Sequence, residues 1–514
     1  MTANKTGRAR AIMLQGTSSH VGKSLLAAAL CRIFRQDGHR VAPFKAQNMA
    51  LNAYVTVDGG EIGRAQGLQA EAAGVAATVE MNPILLKPKG ENLAEVILRG
   101  KSAGDYSAVG YRREFLPRAR AEVATAYGAL AAVYRVLVIE GAGSPAEVNL
   151  REGDIANMFT AELAGAPVLL IGDIDRGGVL ASLVGTLELL TADERARVKG
   201  LVINKFRGDF TLLEPALTFL RERTGLPVLG VIPHLGNVGL EEEDSLGVAH
   251  SLPTRDAAGR EPGVDVAVVN FPHLSNFSDL DPLGLEPGLG VRYVSEPQRL
   301  GRPTAVLLPG SKNTVQDLAY LEASGLARAI RELAEAGTEV VGLCGGYQTL
   351  GETLHDPEGW EDHPGSCAGL GLLPAETVFG QEKTTVRTRA AAEGVGFLAG
   401  SGGGQVEGYE IHRGQTHLGA GSRPLFRDGS GRVLGAVTAG GGVWGTYLHG
   451  LWENDWFRRT WHNHLREKVG LLPLAGEPSS WVAVREERLD HLAAVVREHL
   501  NIPAVYGMLK EGGN

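Results

Sequence analysis

Two short stretches hold residue types whose spacing could do chemistry. In GTSSHVGKS, Gly16 to Ser24, a glycine-rich turn follows an apolar run and opens an amphipathic segment, the setting a phosphate-binding loop requires. Backbone N–H groups and a helix N-terminus would cradle phosphates there, with Gly16, Thr17, Val21, Gly22, Lys23 and Ser24 as the ATP contacts. Lys23 would reach the β- and γ-phosphates, and the Ser24 hydroxyl would be a Mg²⁺ ligand. In EVVGLCGGYQTLG, Cys344 stands between an apolar strand and a helix, with glycines that permit a sharp turn, the arrangement of a nucleophile elbow.

Each centre needs helpers. Magnesium takes carboxylate oxygens besides a hydroxyl, and Glu140, closing the run RVLVIEGAGS, is the best placed. Asp173 and Asp175 in LLIGDIDRGG close another apolar run, where an acid orients metal, substrate or phosphate, or caps the next helix. A thiol with a pKa of about 8.5 is only slightly ionised at neutral pH, so Cys344 needs a helix N-terminus and a base. His449 in GTYLHGLWEN is the expected base, paired with Cys344 in space and not in sequence.

The elements that must position these groups follow a βα rhythm. AIMLQG, HRVAPFK, VYRVLVIEG, APVLLIGD, VKGLVINK and LPVLGVIP are short apolar runs between amphipathic segments, as in a parallel sheet covered on both faces. Ligands of open α/β sheets sit outside the carboxyl ends of such strands. The polar stretch SLPTRDAAGREPG reads as a linker over 251–263, after which VDVAVVNF starts a second α/β sheet. The expected organisation is a P-loop parallel-sheet domain over 1–250, a second α/β domain over 264–460, and a helical extension over 461–514 packed on the second domain.

Composition narrows the class. The 514 residues exceed what one core usually supports, and 44% hydrophobic with 21% charged residues is ordinary for a globular chain. A net charge of −9 disfavours nonspecific nucleic-acid binding, so no nucleic-acid partner is expected. Cys31, Cys344 and Cys367 are too few and scattered for a disulfide framework, which predicts a reducing, cytoplasmic setting, with Cys31 and Cys367 inert. No apolar stretch reaches the roughly 20 residues of a membrane span, and the first dozen residues lack the apolar run of a secretory signal, so no membrane segment is expected. Whether the subunit works as a monomer or a homo-oligomer is left open by the sequence.

The first glycine of GTSSHVGKS lies one residue further from GKS than in GxxxxGKS, a variant that resembles the loop of the dethiobiotin synthetase superfamily. That resemblance implies phosphorylation of a carboxyl-type oxygen. It marks Glu61 in EIGRAQ as a second metal ligand, with Asp58 competing, and Asn204 and Lys205 in LVINKFRGD as contacts of the nucleotide base. The second half resembles the class I glutamine amidotransferases, with glutamine as co-substrate and backbone N–H groups at Gly310 and Gly345 forming the oxyanion hole. Most such enzymes carry a glutamate two residues after the histidine. Here Gly450 and Leu451 follow His449, so the orienting group is open, with Glu453 a possible substitute.

Together the halves resemble the cobyrinic acid amidase family, through GTSSHVGKS, KAQNMALNAYVT, GGEIGRAQ, MNPILLKP, GDIDRGGV, NKFRGD, SNFSDLDPL and GYEIHRG in the family's order. The resemblance implies ATP- and glutamine-dependent amidation of the b, d, e and g carboxylates of adenosylcobyrinic a,c-diamide, a step of cobalamin synthesis. A corrinoid substrate is anionic, and Lys45, Lys87, Lys89 and Arg99 are the candidates to meet it; His412 is a candidate for substrate or glutamine. Asn48, Asn52 and Gln66 lie in these blocks without an assigned role. The alternatives are the sister a,c-diamide synthase, a P-loop switch ATPase, and a binding scaffold with an inactive glutaminase.

Overall fold

The computed structural model describes residues 9–89, 92–236, 238–240, 263–361, 364–400 and 403–511. They divide into two compact units. One holds 9–50, 60–240 and 485–511, the other 51–59 and 263–484. This differs from the expected division at two places. The short stretch Leu51–Gly59 folds with the second unit, and the extension expected on the second domain is split, since residues from Arg485 onward fold with the first. Residues 251–262 of the expected linker lie outside the described residues.

The first unit is built on six parallel strands in the order Val228–Pro233, Val198–Phe206, Val168–Asp173, Arg10–Gly16, Val136–Glu140 and Val41–Phe44. Helices on both faces explain why the central strands read as continuous apolar runs and not as alternating ones. Ile12, Leu14, Val138, Leu169 and Ile171 form the core with helix Lys23–Gln36. The C-terminal helix Trp481–His499 adds Leu489, Leu492, Ala493 and Val496 to that same core, and Arg32 fastens it through Asp490 at 2.7 Å and Glu486 at 2.8 Å. A four-stranded sheet, Gln47–Met49, Ile84–Pro88, Leu93–Leu98 and Lys101–Ser107, completes the unit.

In the second unit five strands run parallel in the order Leu289–Val294, Val264–Val269, Ala305–Leu308, Glu339–Leu343 and Val443–Thr446. Beyond them the sheet turns antiparallel through Val433–Thr438, Ser422–Asp428 and the long pair Ala375–Ala392 and Gln405–Leu418. Buried Glu339 accepts from the indoles of Trp444 and Trp461, both at 2.8 Å, tying helix Asp455–Lys468 to the sheet. Among the described residues no helix is long and apolar enough to cross a membrane.

Candidate functional site

In the first unit the chemistry collects at the carboxyl ends of the parallel strands. Gly16 ends the central strand, and the loop after it enters helix Lys23–Gln36 through Gly22 at φ 92°. Only glycine fits there, because the conformation is left-handed and a Cβ would collide with the Asn204 side-chain amide. Asn204 Nδ2 donates to the Val21 carbonyl at 2.8 Å, and Lys205 Nζ to the His20 carbonyl at 2.7 Å and Asp173 at 2.9 Å. These two residues, expected at the nucleotide base, hydrogen-bond to the loop from strand Val198–Phe206, two strands away in the sheet. Asp173 also accepts from the Asp175 backbone N–H at 2.9 Å, and the Asp175 carboxylate pairs with Arg207.

Lys23 is buried and its Nζ lies 2.9 Å from the Ser18 carbonyl and 3.2 Å from that of Gly143, folded over the space the loop encloses. Glu140, at the end of the neighbouring strand, accepts from the Ser24 hydroxyl at 2.8 Å, Lys45 Nζ at 2.9 Å and Gln69 Nε2 at 2.6 Å. Burial alone would raise this carboxyl, but Lys45 and the hydrogen bonds outweigh it and hold Glu140 below the ordinary carboxylate range. Ser24 and Glu140, two expected metal ligands, are thus in contact, and their hard oxygens suit Mg²⁺ beside a triphosphate. Glu61 is buried in an ion pair with Lys87 at 2.6 Å. Among the described residues no group of three or more His, Cys, Asp or Glu could hold a metal.

Of the cations expected to meet an anionic substrate, Lys45 and Lys87 are buried and pair with Glu140 and Glu61. Lys89 pairs with Asp105, and Arg99 with Glu80 and Glu122. Gln66, left without a role by the sequence, joins Asn48 to the acid: its Oε1 accepts from Asn48 Nδ2 at 3.0 Å, and its Nε2 donates to Glu140 at 3.4 Å. Gln69, which sequence reasoning missed, lies three residues on from Gln66, hence on the same face of helix Arg64–Ala73.

In the second unit Cys344 follows strand Glu339–Leu343 and His449 lies three residues past strand Val443–Thr446. Those strands are parallel neighbours, Leu343 opposite Thr446, so two residues far apart in sequence emerge side by side. Cys344 has φ 49° and ψ −107°, a strained conformation for a residue with a side chain, and heads helix Gly345–Thr349. A Cβ on Gly346 would run into the Leu308 carbonyl, so the turn cannot be built with a larger residue there. The Cys344 thiol points to the Ile411 carbonyl at 3.4 Å.

The group that orients His449 is Asp279. Its Oδ2 lies 2.6 Å from His449 Nδ1, its Oδ1 accepts from the Gly450 N–H at 2.9 Å, and it is buried. Glu453, weighed for this place from sequence, is not the carboxylate bonded to Nδ1. The imidazole also stacks on Tyr409 at 5.2 Å, and His449 and Tyr409 exchange two backbone hydrogen bonds. Burial works against the imidazolium, but Asp279 and Cys344 more than offset it and push the His449 pKa up to about 10. Gly310 and Gly345 border the pair: a Cβ on Gly310 would lie 3.4 Å from His449 Cε1, and one on Gly345 2.9 Å from the Ser311 nitrogen. His412 is held by Glu410 at 3.1 Å and the Gly414 carbonyl at 2.8 Å, stacked on Tyr447. Burial pushes the Cys31 thiol far up, and burial also raises the Cys367 thiol.

Residues 12–246 match the CobQ/CobB/MinD/ParA nucleotide binding domain, and residues 265–457 the CobB/CobQ-like glutamine amidotransferase domain. The chain is 53% identical over 513 residues to the cobyric acid synthase of Desulforamulus reducens, covering 98% of this chain and 99% of that protein. It is 51% identical over 501 residues to that of Moorella thermoacetica, covering 96% of each. The chain belongs to the cobyric acid synthase family. As a cobyric acid synthase family member it is a glutamine-hydrolysing ligase of cobalamin biosynthesis, which settles the choice against a P-loop switch ATPase. Asp279 falls in SNFSDLDPL, one of the blocks that carried the family resemblance, and that block was the available signal for it.

Proposed function

We propose that this enzyme amidates the b, d, e and g carboxylates of adenosylcobyrinic a,c-diamide, using ATP to make each carboxyl an acyl phosphate and glutamine as the ammonia source. The observation that carries the nitrogen half is Cys344 on a strained turn beside a histidine anchored by a buried carboxylate. With its raised pKa His449 holds the proton of the Cys344–His449 pair as the imidazolium, and gives it to the departing ammonia as Cys344 Sγ attacks the glutamine carboxamide. Asp279 fixes the ring so that Nε2 is the nitrogen that exchanges the proton. Water then hydrolyses the thioester to glutamate. Backbone N–H groups after Gly310 and at Gly345 would bind the oxyanion in both halves.

A carboxylate is a poor electrophile, so its oxygen first attacks the γ-phosphate of ATP, releasing ADP; ammonia then displaces phosphate from the acyl carbon. Lys23 would leave its two carbonyl partners to meet the β- and γ-phosphates. Ser24 and Glu140, with Glu61 as a further candidate, would hold Mg²⁺, which when bound neutralises charge on the transferred phosphoryl group. Acyl phosphates hydrolyse in water, so ammonia should pass between the two reactions without release.

Purified protein with ATP, Mg²⁺, glutamine and adenosylcobyrinic a,c-diamide should gain four amides on the corrinoid by mass. Cys344→Ser should lose this with glutamine and regain it with ammonia. No gain in corrinoid mass with either nitrogen source, from protein that still hydrolyses ATP, would sink the substrate assignment.

A further inference from the structure

Asn52 lies in KAQNMALNAYVT, and nothing in the chemistry above uses it, yet it is fully buried in the glutaminase unit. Its Oδ1 accepts from the Phe277 N–H at 3.1 Å, 225 residues away in sequence. Next to it the Ala53 N–H donates to Asn276 Oδ1 at 3.0 Å, so two asparagines each receive a backbone donor from the other's segment. Asn276 sits at φ 52°, a left-handed turn that asparagine tolerates better than most residues. That turn opens the 3₁₀ segment Phe277–Leu285, and the Asp279 N–H bonds the Asn276 carbonyl at 3.1 Å. Asp279 is the carboxylate on His449.

The same short segment touches the other supports of the site. Ala53 and Val55 form a small buried cluster with Tyr409, on which His449 stacks, and Ile411, whose carbonyl faces the Cys344 thiol. Arg387 closes over it, donating to the Val55 carbonyl at 2.8 Å with its guanidinium 4.8 Å from the Tyr54 ring centre. A stretch packed only for stability has no need to meet the backing of all three catalytic groups.

We infer that Asn52 is a positioning residue of the glutaminase: through Phe277 and Asn276 it fixes the turn that aims Asp279 at His449. The inference rests on the reading of Cys344, His449 and Asp279 as the glutaminase machinery. A segment lying between Lys45 and Glu61 in sequence thereby serves the ammonia-producing reaction.

The test uses the full-length protein and measures glutamate release from glutamine against ammonia-driven amidation. Asn52→Ala should lower glutaminase kcat roughly 10- to 100-fold with little change in the KM for glutamine, because a displaced aspartate spoils geometry and not binding. Ammonia-driven amidation should stay within about twofold of the parent, which also reports that the chain is folded. In an Asp279→Asn background Asn52→Ala should cost almost nothing further, since both changes act on one element. Should Asn52→Ala fold poorly, Asn52→Ser keeps a polar side chain at the site but is too short to reach the Phe277 N–H, and the same loss is expected. Glutaminase kcat within twofold of the parent, losses that multiply in the double variant, or an equal loss of ammonia-driven activity would each overturn the inference. Cys344→Ser distinguishes failure of the underlying reading, since glutaminase surviving in that variant would remove the glutaminase assignment itself.

Discussion

Replacing Asp279 by asparagine keeps the shape of the side chain and removes the charge that faces His449 Nδ1 at 2.6 Å. The rise of the His449 pKa from 6.5 to about 10 corresponds to about 5 kcal/mol favouring the imidazolium. Asp279 and Cys344 share that effect against the opposing cost of burial, with Asp279 the larger of the two, so Asp279→Asn should forfeit at least half, about 2.5 kcal/mol. If the transition state for thiol attack carries the imidazolium, glutaminase kcat falls by roughly 100-fold, and by more if asparagine turns the ring to the wrong tautomer. Measured as glutamate release across pH, the variant should also lose rate with a different pH dependence from the parent. Ammonia-driven amidation should be spared. A loss below about threefold would refute the assignment of Asp279 as the orienting carboxylate.

Glu140→Gln leaves the Lys45 ammonium buried without its partner, so it should destabilise the protein by about 3 to 5 kcal/mol and abolish amidation with either nitrogen source; calorimetry and the ammonia assay check both. The raised His449 pKa makes protonation favour the folded state, so that contribution is complete below about pH 6.5 and lost as pH rises through about 10. Thermal midpoints should therefore fall over that window in the parent and less steeply in Asp279→Asn. Cys344→Gly should be more stable than Cys344→Ala by about 1 kcal/mol, because glycine relieves the strain at φ 49° while paying back part of it in unfolded-state entropy; chemical denaturation of the two variants decides the sign.

Much of both centres was legible because their signals are local. GTSSHVGKS and EVVGLCGG encode a strand, a turn and a helix start within a dozen residues, and the structure places Lys23 and Cys344 at those turns. Glu140 followed from an apolar run ending in an acid, and it does meet Ser24. Asp279 was not legible as the orienting group, because it reaches His449 across 170 residues from an irregular 3₁₀ segment with no periodicity to read. The amphipathic pattern of Trp481–His499 announced a helix but not the core it joins, since Leu489, Leu492 and Val496 would suit any apolar face. The strand Lys101–Ser107 also escaped notice: it is mostly exposed, and GKSAGDYS has no apolar alternation. Charge gave the least guidance, because Lys45 and Lys87 look like free cations in sequence and are internal partners of Glu140 and Glu61.

The two centres use one structural device with opposite choices of residue. In each, a parallel strand ends in a turn of positive φ that delivers a helix N-terminus to the site, at Gly22 with φ 92° and at Cys344 with φ 49°. A phosphate must approach the backbone itself, so the P-loop turn has no side chain, and the Asn204 amide fills the space where a Cβ would stand. At the elbow the side chain is the proposed reagent, so glycine is ruled out at the turn and the strain is retained. The room must then come from the residues that follow, and Gly346 supplies it by packing against the Leu308 carbonyl. The position of glycine relative to the turn thus distinguishes a loop that binds an anion from one that presents a nucleophile. A supporting acid follows from the same logic: the P-loop hydroxyl needs a carboxylate one strand away, which is Glu140, whereas the histidine beside the elbow needs one behind its ring, and only a segment crossing there can provide Asp279.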